Sequence, residues 1–402
     1  MRYLFIWLVL LIIAFAVFGN ALAVDDDTRK EAFAKAEALT KELESKGKVE
    51  KSGVIHDYLQ ALGAKLIKEE DRNKFNIRLH VLKDGSLNAF AVPDGNIYIN
   101  LGLIAKLDNE LQLAQVITHE TAHVIKEHSL NSYDSNRTTI KAAHFLDLAL
   151  FGTGLAYIPI TAALMSYSRG EEREADEYSF GIISEKGYDA SKADELFLDF
   201  SEVKSDKALH GSIWSSHPGD KERVDNIKSL IESGKYNLNK GGYTGKDEYF
   251  PVKSAAIIKN TELKLLAGHY NLALKYIDSA LRTSPEDAEL LYLKGESNRK
   301  LFTDPESAAR EDAWINDKTY DEEMKEPFTK RSGEYAANAR NYFNKALELN
   351  PDHLNTLKGL GLLEHGLGNK AAAKERLEKY LLLAERPKDK RFITRIIEEC
   401  SK

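Results

Sequence analysis

The apolar positions of the chain change period several times, and each change marks an element. From Thr28 to about Glu70, Ala32, Phe33, Ala36 and Leu39 recur at helical spacing among Lys and Glu, which predicts helix. The period then drops to two. Ile77, Leu79 and Val81 alternate with Asn76, Arg78 and His80, the pattern of a strand. A further pair of strands is expected in LNAFAVPDGNIYINLGLI, where Pro93-Asp94-Gly95 signals a turn and Ile97 and Ile99 alternate beyond it. Together these predict a short sheet, arranged as a hairpin, just ahead of a helix from about Asn109 to Ser129. Asp108-Asn109-Glu110 suits the first turn of that helix. Leu111, Ala114, Ile117, Thr121 and Val124 form its apolar face.

Two stretches stand out because they lack charge. The first runs from Tyr3 to Phe18, behind Arg2 and ahead of Ala21-Leu22-Ala23 and three aspartates. This is the layout of a cleavable secretory signal peptide over residues 1–23, with Ala23 the last residue removed. An uncleaved anchor fits that exit less well. The second stretch, residues 148–168, is long enough to span a bilayer. A single crossing would part His119 and His123 from the acidic residues at 171–176. The expectation is therefore a helical pair that reverses near Gly152, Gly154 and Pro159 and covers the candidate cleft. Peripheral membrane contact is the other reading of this pair.

From about Ser233 to Val252 the pattern becomes loop-like, with Gly234, Gly241, Gly242, Gly245 and Pro251. A domain boundary is expected there. Beyond it the order of residues repeats: Gly268, Tyr270, Ala273, Ala280, Pro285 and Gly295, then Ala339, Phe343, Ala346, Pro351 and Gly361, continuing into Gly368, Ala373 and Leu377. These positions resemble the tetratricopeptide repeat, a helix–turn–helix unit of about 34 residues. Pro285 and Pro351 stand 66 residues apart, so a degenerate repeat with a charged irregular segment (about 302–333) is expected between them. Stacked repeats of this kind offer a groove for peptides or partner proteins. The expected organisation is a signal peptide at 1–23, a catalytic domain at 24–235, a linker at 236–252, a repeat domain at 253–390 and a tail at 391–402. The expected fold class is mainly α with a small β-sheet.

The 402 residues, 43% apolar and 30% charged, suit two globular domains. A net charge of −7 argues against a nucleic-acid partner. The single cysteine, Cys400, excludes an internal disulfide.

The chemistry concentrates in THETAHVIKEH, residues 118–128. On a helix His119 and His123 stand one turn apart on one face. Their imidazoles can meet one ion at about 2.0–2.1 Å, the Zn–N distance. Glu120 lies one residue round, beside the ion and placed to take a proton from water. This is the H-E-x-x-H arrangement of zinc peptidases. A catalytic zinc needs a third protein ligand. The class that supplies a third histidine needs glycine and histidine where this chain has Lys126 and Ser129. His128 is one place short and is expected beside the site, not on the metal. The acidic run SRGEEREADEYSF is the other source. There Glu172 and Asp176 stand one turn apart, so Glu172 can bind the metal while Asp176 accepts a hydrogen bond from a ligating imidazole. Alone, that run would read as a solvated helix face.

HETAHVIKEHS followed by SRGEEREADEYSFG resembles the gluzincin metallopeptidases of the HtpX, Oma and CAAX prenyl protease type. Glu172, Ala175 and Asp176 match the second motif of that family. Asn88-Ala89-Phe90 matches a stretch ahead of the zinc helix, and His217-Pro218 with Arg223 matches a third. The resemblance covers about residues 50–230. An exported catalytic domain followed by tetratricopeptide repeats is similar to the BepA-type periplasmic peptidases. The resemblance implies one Zn2+ per chain on His119, His123 and Glu172, with Glu120 and Asp176 in the catalytic machinery. It places Asn88, Ala89 and Phe90 on an edge strand where substrate backbone pairs. In the mechanism these residues allow, His217 either stabilises the developing oxyanion, holds the enzyme idle as a ligand, or is a loop histidine with no role, and Arg223 pins local structure. The resemblance further implies cleavage of internal peptide bonds in misfolded or envelope proteins in the periplasm, with envelope-assembly proteins as partners of the repeats. The competing reading is a chaperone or scaffold that acts through its repeats with little proteolysis. A purely structural zinc is disfavoured, because such sites are usually closed with cysteines.

Overall fold

A computed structural model describes residues 24–135, 167–198, 217 and 220–402, apart from 317 and 326. The expected signal peptide, the uncharged pair as far as 166, and Pro218 lie outside the described residues. Among the described residues no helix is long and apolar enough to cross a membrane.

The Asp25 carboxylate accepts the amides of Asp27 and Thr28 at 3.0 and 2.9 Å and starts α1 (Asp26–Ser45). The helical pattern expected to run unbroken to Glu70 is interrupted. At Gly47 the backbone turns left-handed (φ 63°), and the chain extends into β1 (Val49–Glu50) before α2 (Val54–Leu66) and α3 (Glu69–Lys74). Between Leu43 and Val54 the only apolar residue is Val49, and Gly47, Ser52 and Gly53 are turn residues, so the sequence itself carries the signal of this break.

Three strands follow: β2 (Arg78–Leu82), β3 (Ala89–Ala91) and β4 (Asn96–Asn100). The sheet order is β1-β2-β4-β3. β3 and β4 form the antiparallel hairpin across Pro93–Gly95, whereas β2 and β4 run parallel, with Leu79 opposite Ile97 and Val81 opposite Ile99. β4 thus inserts between its predecessors and leaves β3 at the edge, with Asn88 just ahead of it.

α4 (Leu101–Lys106) leads to α5 (Glu110–Ile125), which is buried along nearly its whole length and packs against β3. α6 (Arg169–Glu185) lies along α5, and α7 (Asp220–Glu232) lies on α6. The helix expected to reach Ser129 ends at Ile125. Glu127 takes φ 58° and the chain becomes helical again from His128.

The expected linker at 236–252 is only half a loop. From Lys246 it is the start of α8 (Lys246–Leu266), where Tyr249 is buried and donates to the Ile104 carbonyl at 2.6 Å. The Thr244 carbonyl accepts the Leu111 amide at 3.0 Å. One apolar cluster therefore runs from Ile55 and Leu59 through Ile117 and Phe180 to Val252, Ile277 and Leu290. The glycines signal loop, but Tyr249, Val252 and Ala256 recur at helical spacing and bury against α4 and its neighbours.

α8 pairs with α9 (Tyr270–Leu281), and α10 (Ala288–Thr303) pairs with α13 (Pro327–Leu349). α14 (Leu354–Gly366) pairs with α15 (Lys370–Leu383). The turns at Gly268 and Gly368 are alike. Each glycine has φ near 80° (78° and 79°), and the next amide reaches five residues back, His269 to Lys264 and Asn369 to Glu364. The charged segment near 302–333, expected to be irregular, is largely helical. It holds two short helices, α11 (Pro305–Ile315) and α12 (Tyr320–Lys325), inserted between the partners α10 and α13. Glu311 of α11 accepts the amides of Asn271 and Leu272 at 2.7 and 3.0 Å and caps α9 from outside. The expected tail is α16 (Lys390–Cys400), which buries Ile393 and Ile396.

Candidate metal centre

α5 presents His119, Glu120 and His123 to a buried space, and none of the three is more than 7% exposed. The helix is aimed from its start: the Asn109 carboxamide accepts the Gln112 amide at 3.0 Å. α6 begins in a capping box between Ser168 and Glu171. It is held to α5 by the Thr118 and Ser179 hydroxyls, 2.7 Å apart, and by the Ser179 hydroxyl donating to the Gln115 carbonyl at 3.0 Å. Ala175, fully buried, stands between Glu172 and Asp176 where the two helices meet.

Four side chains converge. One ligand atom each from His119, His123, Glu172 and His217 lies within 4.8 Å of all the others. The Nε2 atoms of His119 and His123 are 3.1 Å apart. Glu172 Oε2 is 3.4 Å from His119 Nε2, and Glu172 Oε1 is 3.7 Å from His123 Nε2. His217 places Nδ1 2.8 Å from Glu172 Oε1 and Nε2 3.4 Å from Glu120 Oε1. Glu120 Oε2 is buried without a hydrogen-bond partner among the described residues.

Behind this cluster a second set of contacts holds it. Asp176 Oδ1 lies 3.1 Å from His119 Nδ1. Arg223, buried on α7, donates to both Asp176 oxygens at 2.6 and 3.0 Å and approaches Glu172 Oε2 at 3.2 Å. Its guanidinium lies 4.9 Å from the Phe197 ring centre. His128 folds back so that its Nδ1 is 3.0 Å from His123 Nδ1. Tyr167 stacks on the His123 ring at 3.7 Å and 14°, with its hydroxyl 3.1 Å from that of Ser129.

The electrostatics follow from this crowding. Burial pushes the Glu172 carboxyl up, but His217 and Arg223 outweigh it and hold the group well below the ordinary range. Asp176 is likewise lowered, against its burial, by Arg223 and His119. Burial and Arg223 push the His119 imidazole down, yet Asp176 and Glu172 prevail and raise it to about 9. Burial and the neighbouring His119 drive His123 well below its usual value. Two buried carboxylates therefore call for positive charge where the imidazoles meet, which a divalent cation supplies as well as a proton does. Imidazole nitrogens and one carboxylate, closed in and backed by Asp176, fit zinc.

Of the residues singled out in the sequence, His119, Glu120, His123, Glu172, Asp176 and His217 are brought together. Asn88, Ala89 and Phe90 lie at the edge strand that packs on α5, with Ala89 and Phe90 buried. Tyr167 and Phe197 were not singled out. Tyr167 sits at the end of the uncharged stretch, next to the capping Ser168, and that adjacency was the available signal.

Comparison with known proteins agrees with this geometry. Residues 56–231 match the model of peptidase family M48. Over 180 residues the chain is 29% identical to the mitochondrial metalloendopeptidase OMA1 of Schizosaccharomyces pombe, a match that covers 43% of this chain and 52% of that protein. It is 29% identical over 167 residues to the metalloprotease YcaL of Escherichia coli, covering 40% and 63%. It is 25% identical over 192 residues to the beta-barrel assembly-enhancing protease of Escherichia coli, covering 44% and 39%. The chain thus spans less than two thirds of each of these relatives.

Proposed function

We propose that the chain, whose residues 56–231 match the model of peptidase family M48, is a zinc-dependent metalloendopeptidase of the bacterial cell envelope that cleaves internal peptide bonds in misfolded or envelope proteins. The observation that carries this reading is the buried meeting of His119, His123 and Glu172, with Glu120 alongside. These three would hold the zinc, which supplies Lewis-acid polarisation of water and of a scissile carbonyl. The Glu120 carboxylate takes the proton of the attacking water and returns it to the leaving amine. Asp176 holds His119 by Nδ1, so that Nε2 keeps its lone pair toward the metal. His217 stands against both Glu172 and Glu120, in the space a reacting water needs, which favours the idle-ligand role over oxyanion stabilisation. On this reading it withdraws when substrate enters.

The outer edge of β3, beside Asn88, Ala89 and Phe90, receives the substrate backbone as an added strand. The paired helices from α8 to α15 act as tetratricopeptide repeats and bind partners or substrates. Envelope-assembly proteins are the partners that the name of the Escherichia coli relative suggests. The signal-peptide layout of residues 1–23 supports export to the periplasm.

The test is a comparison of wild type with Glu120→Gln on an unfolded protein, together with metal analysis of both. Both should bind one zinc, and only wild type should cut. Equal cleavage by the two would overturn the mechanism. Rescue of a cellular phenotype by the inactive variant would favour the chaperone or scaffold reading.

A further inference from the structure

A cleft of about 790 Å³ lies between α1, the β3–β4 turn and the end of α5. Its floor includes His123 and Val124, so it opens directly from the metal-binding helix. Phe33 and Phe75 give it apolar walls. Phe33 is 39% exposed, whereas its α1 neighbours Ala32 and Ala36 are buried. The charges around the cleft are unequal in their engagement. Arg29 is held by both oxygens of Glu127 at 2.7 and 3.0 Å. Glu37 pairs with Lys41 at 2.6 Å, and Asp94 accepts the Asn96 carboxamide at 2.8 Å. Lys74 and Arg78 are exposed and make no ion pair among the described residues. Lys74, whose ammonium lies 4.8 Å from the Phe75 ring centre, and Arg78 act on Glu127 and Glu37 only at longer range, so this face carries two exposed cations outside any salt bridge beside two aromatic rings.

The cleft also continues the edge strand. β3 ends at Ala91, and Pro93 and Asp94 line the cleft two and three residues on. A peptide paired antiparallel to β3 has its N-terminal part opposite the C-terminal end of that strand. From this we infer that the cleft receives the substrate segment preceding the cleaved bond, and that it selects an apolar side chain next to acidic ones. The orientation rests on the metallopeptidase reading; the binding chemistry does not.

The test therefore reads binding, without turnover. The full chain carrying Glu120→Gln, loaded with zinc, is titrated with two labelled extended peptides that differ only in Phe-Glu-Glu against Phe-Lys-Lys. The acidic peptide should bind about fivefold tighter, the scale of two exposed ion pairs. The pair Lys74→Glu with Arg78→Glu should reverse that order. Phe33→Ser should weaken both peptides about tenfold, as expected when a partly buried ring is removed. All three side chains are solvent-facing, and an unchanged unfolding midpoint establishes that the variants fold. No binding of either peptide, an unreversed order in the charge-swapped variant, or indifference to Phe33→Ser overturns the inference. Binding with the expected order in a chain whose wild type cuts nothing would sustain the cleft and defeat the peptidase reading instead.

Discussion

His128 Nδ1 lies 3.0 Å from His123 Nδ1, although the chain has left the helix between them. The positive φ at Glu127 makes this return possible, and the grip of Arg29 on Glu127 secures it. The two histidines of the motif are thus held differently, His119 by a carboxylate and His123 by another imidazole. His128→Phe should lower zinc affinity about 10–100-fold, the usual effect of removing a partner behind a metal ligand. His128→Asn, which restores an acceptor, should recover most of it. Competition with chelators of graded strength measures both, and equal affinity in all three proteins would remove the role.

Arg223 answers for two buried carboxylates. In Arg223→Met the Asp176 and Glu172 side chains lose their shared cation. Breaking such a buried pair costs about 3–5 kcal/mol. Urea unfolding of the metal-free protein should show a loss of that size, while zinc binding restores part of it by supplying charge at the same place.

Glu110, in the first turn of α5, gives a prediction that depends on pH. Burial pushes its carboxyl up, but the Tyr188 and Tyr58 hydroxyls and Lys65 outweigh burial and hold it below the ordinary value. A carboxyl with a lowered folded pKa adds stability above its unfolded pKa, about 4.5 for this group. That stability disappears as pH falls through the folded value. Glu110→Gln should therefore destabilise by about 1–3 kcal/mol near neutrality. The gap from wild type should narrow progressively below about pH 4.5. A gap independent of pH would show that the hydrogen bonds alone, not the charge, account for it.

Phe343 fills the space that two glycines leave. A Cβ on Gly295 would lie 2.6 Å from Phe343 Cδ1, and one on Gly359 would lie 2.8 Å from Phe343 Cζ. Gly295→Ala should cost about 1–3 kcal/mol by overpacking. Adding Phe343→Leu should recover part of that loss in thermal unfolding, because the same ring causes the clash. Additive losses would mean that α10 and α13 do not meet as described.

The spacing of His119, Glu120 and His123, with Glu172 and Asp176 one turn apart, made most of this side-chain cluster legible in the sequence. A helix turns side chains four residues apart to one face, so local order suffices there. The paired helices after Gly268 were legible for the same reason: small residues and prolines mark close approach and helix ends wherever they fall. The parallel pairing of β2 with β4 and the burial of Tyr249 in a supposed linker were not. Each depends on what packs against it, which the local apolar period does not record. Only the tertiary structure brought His217 and Arg223 to α5 from about a hundred residues away, and returned His128 to His123. Local pattern determines which residues can share a face, but which faces meet is decided by burial summed over the whole chain.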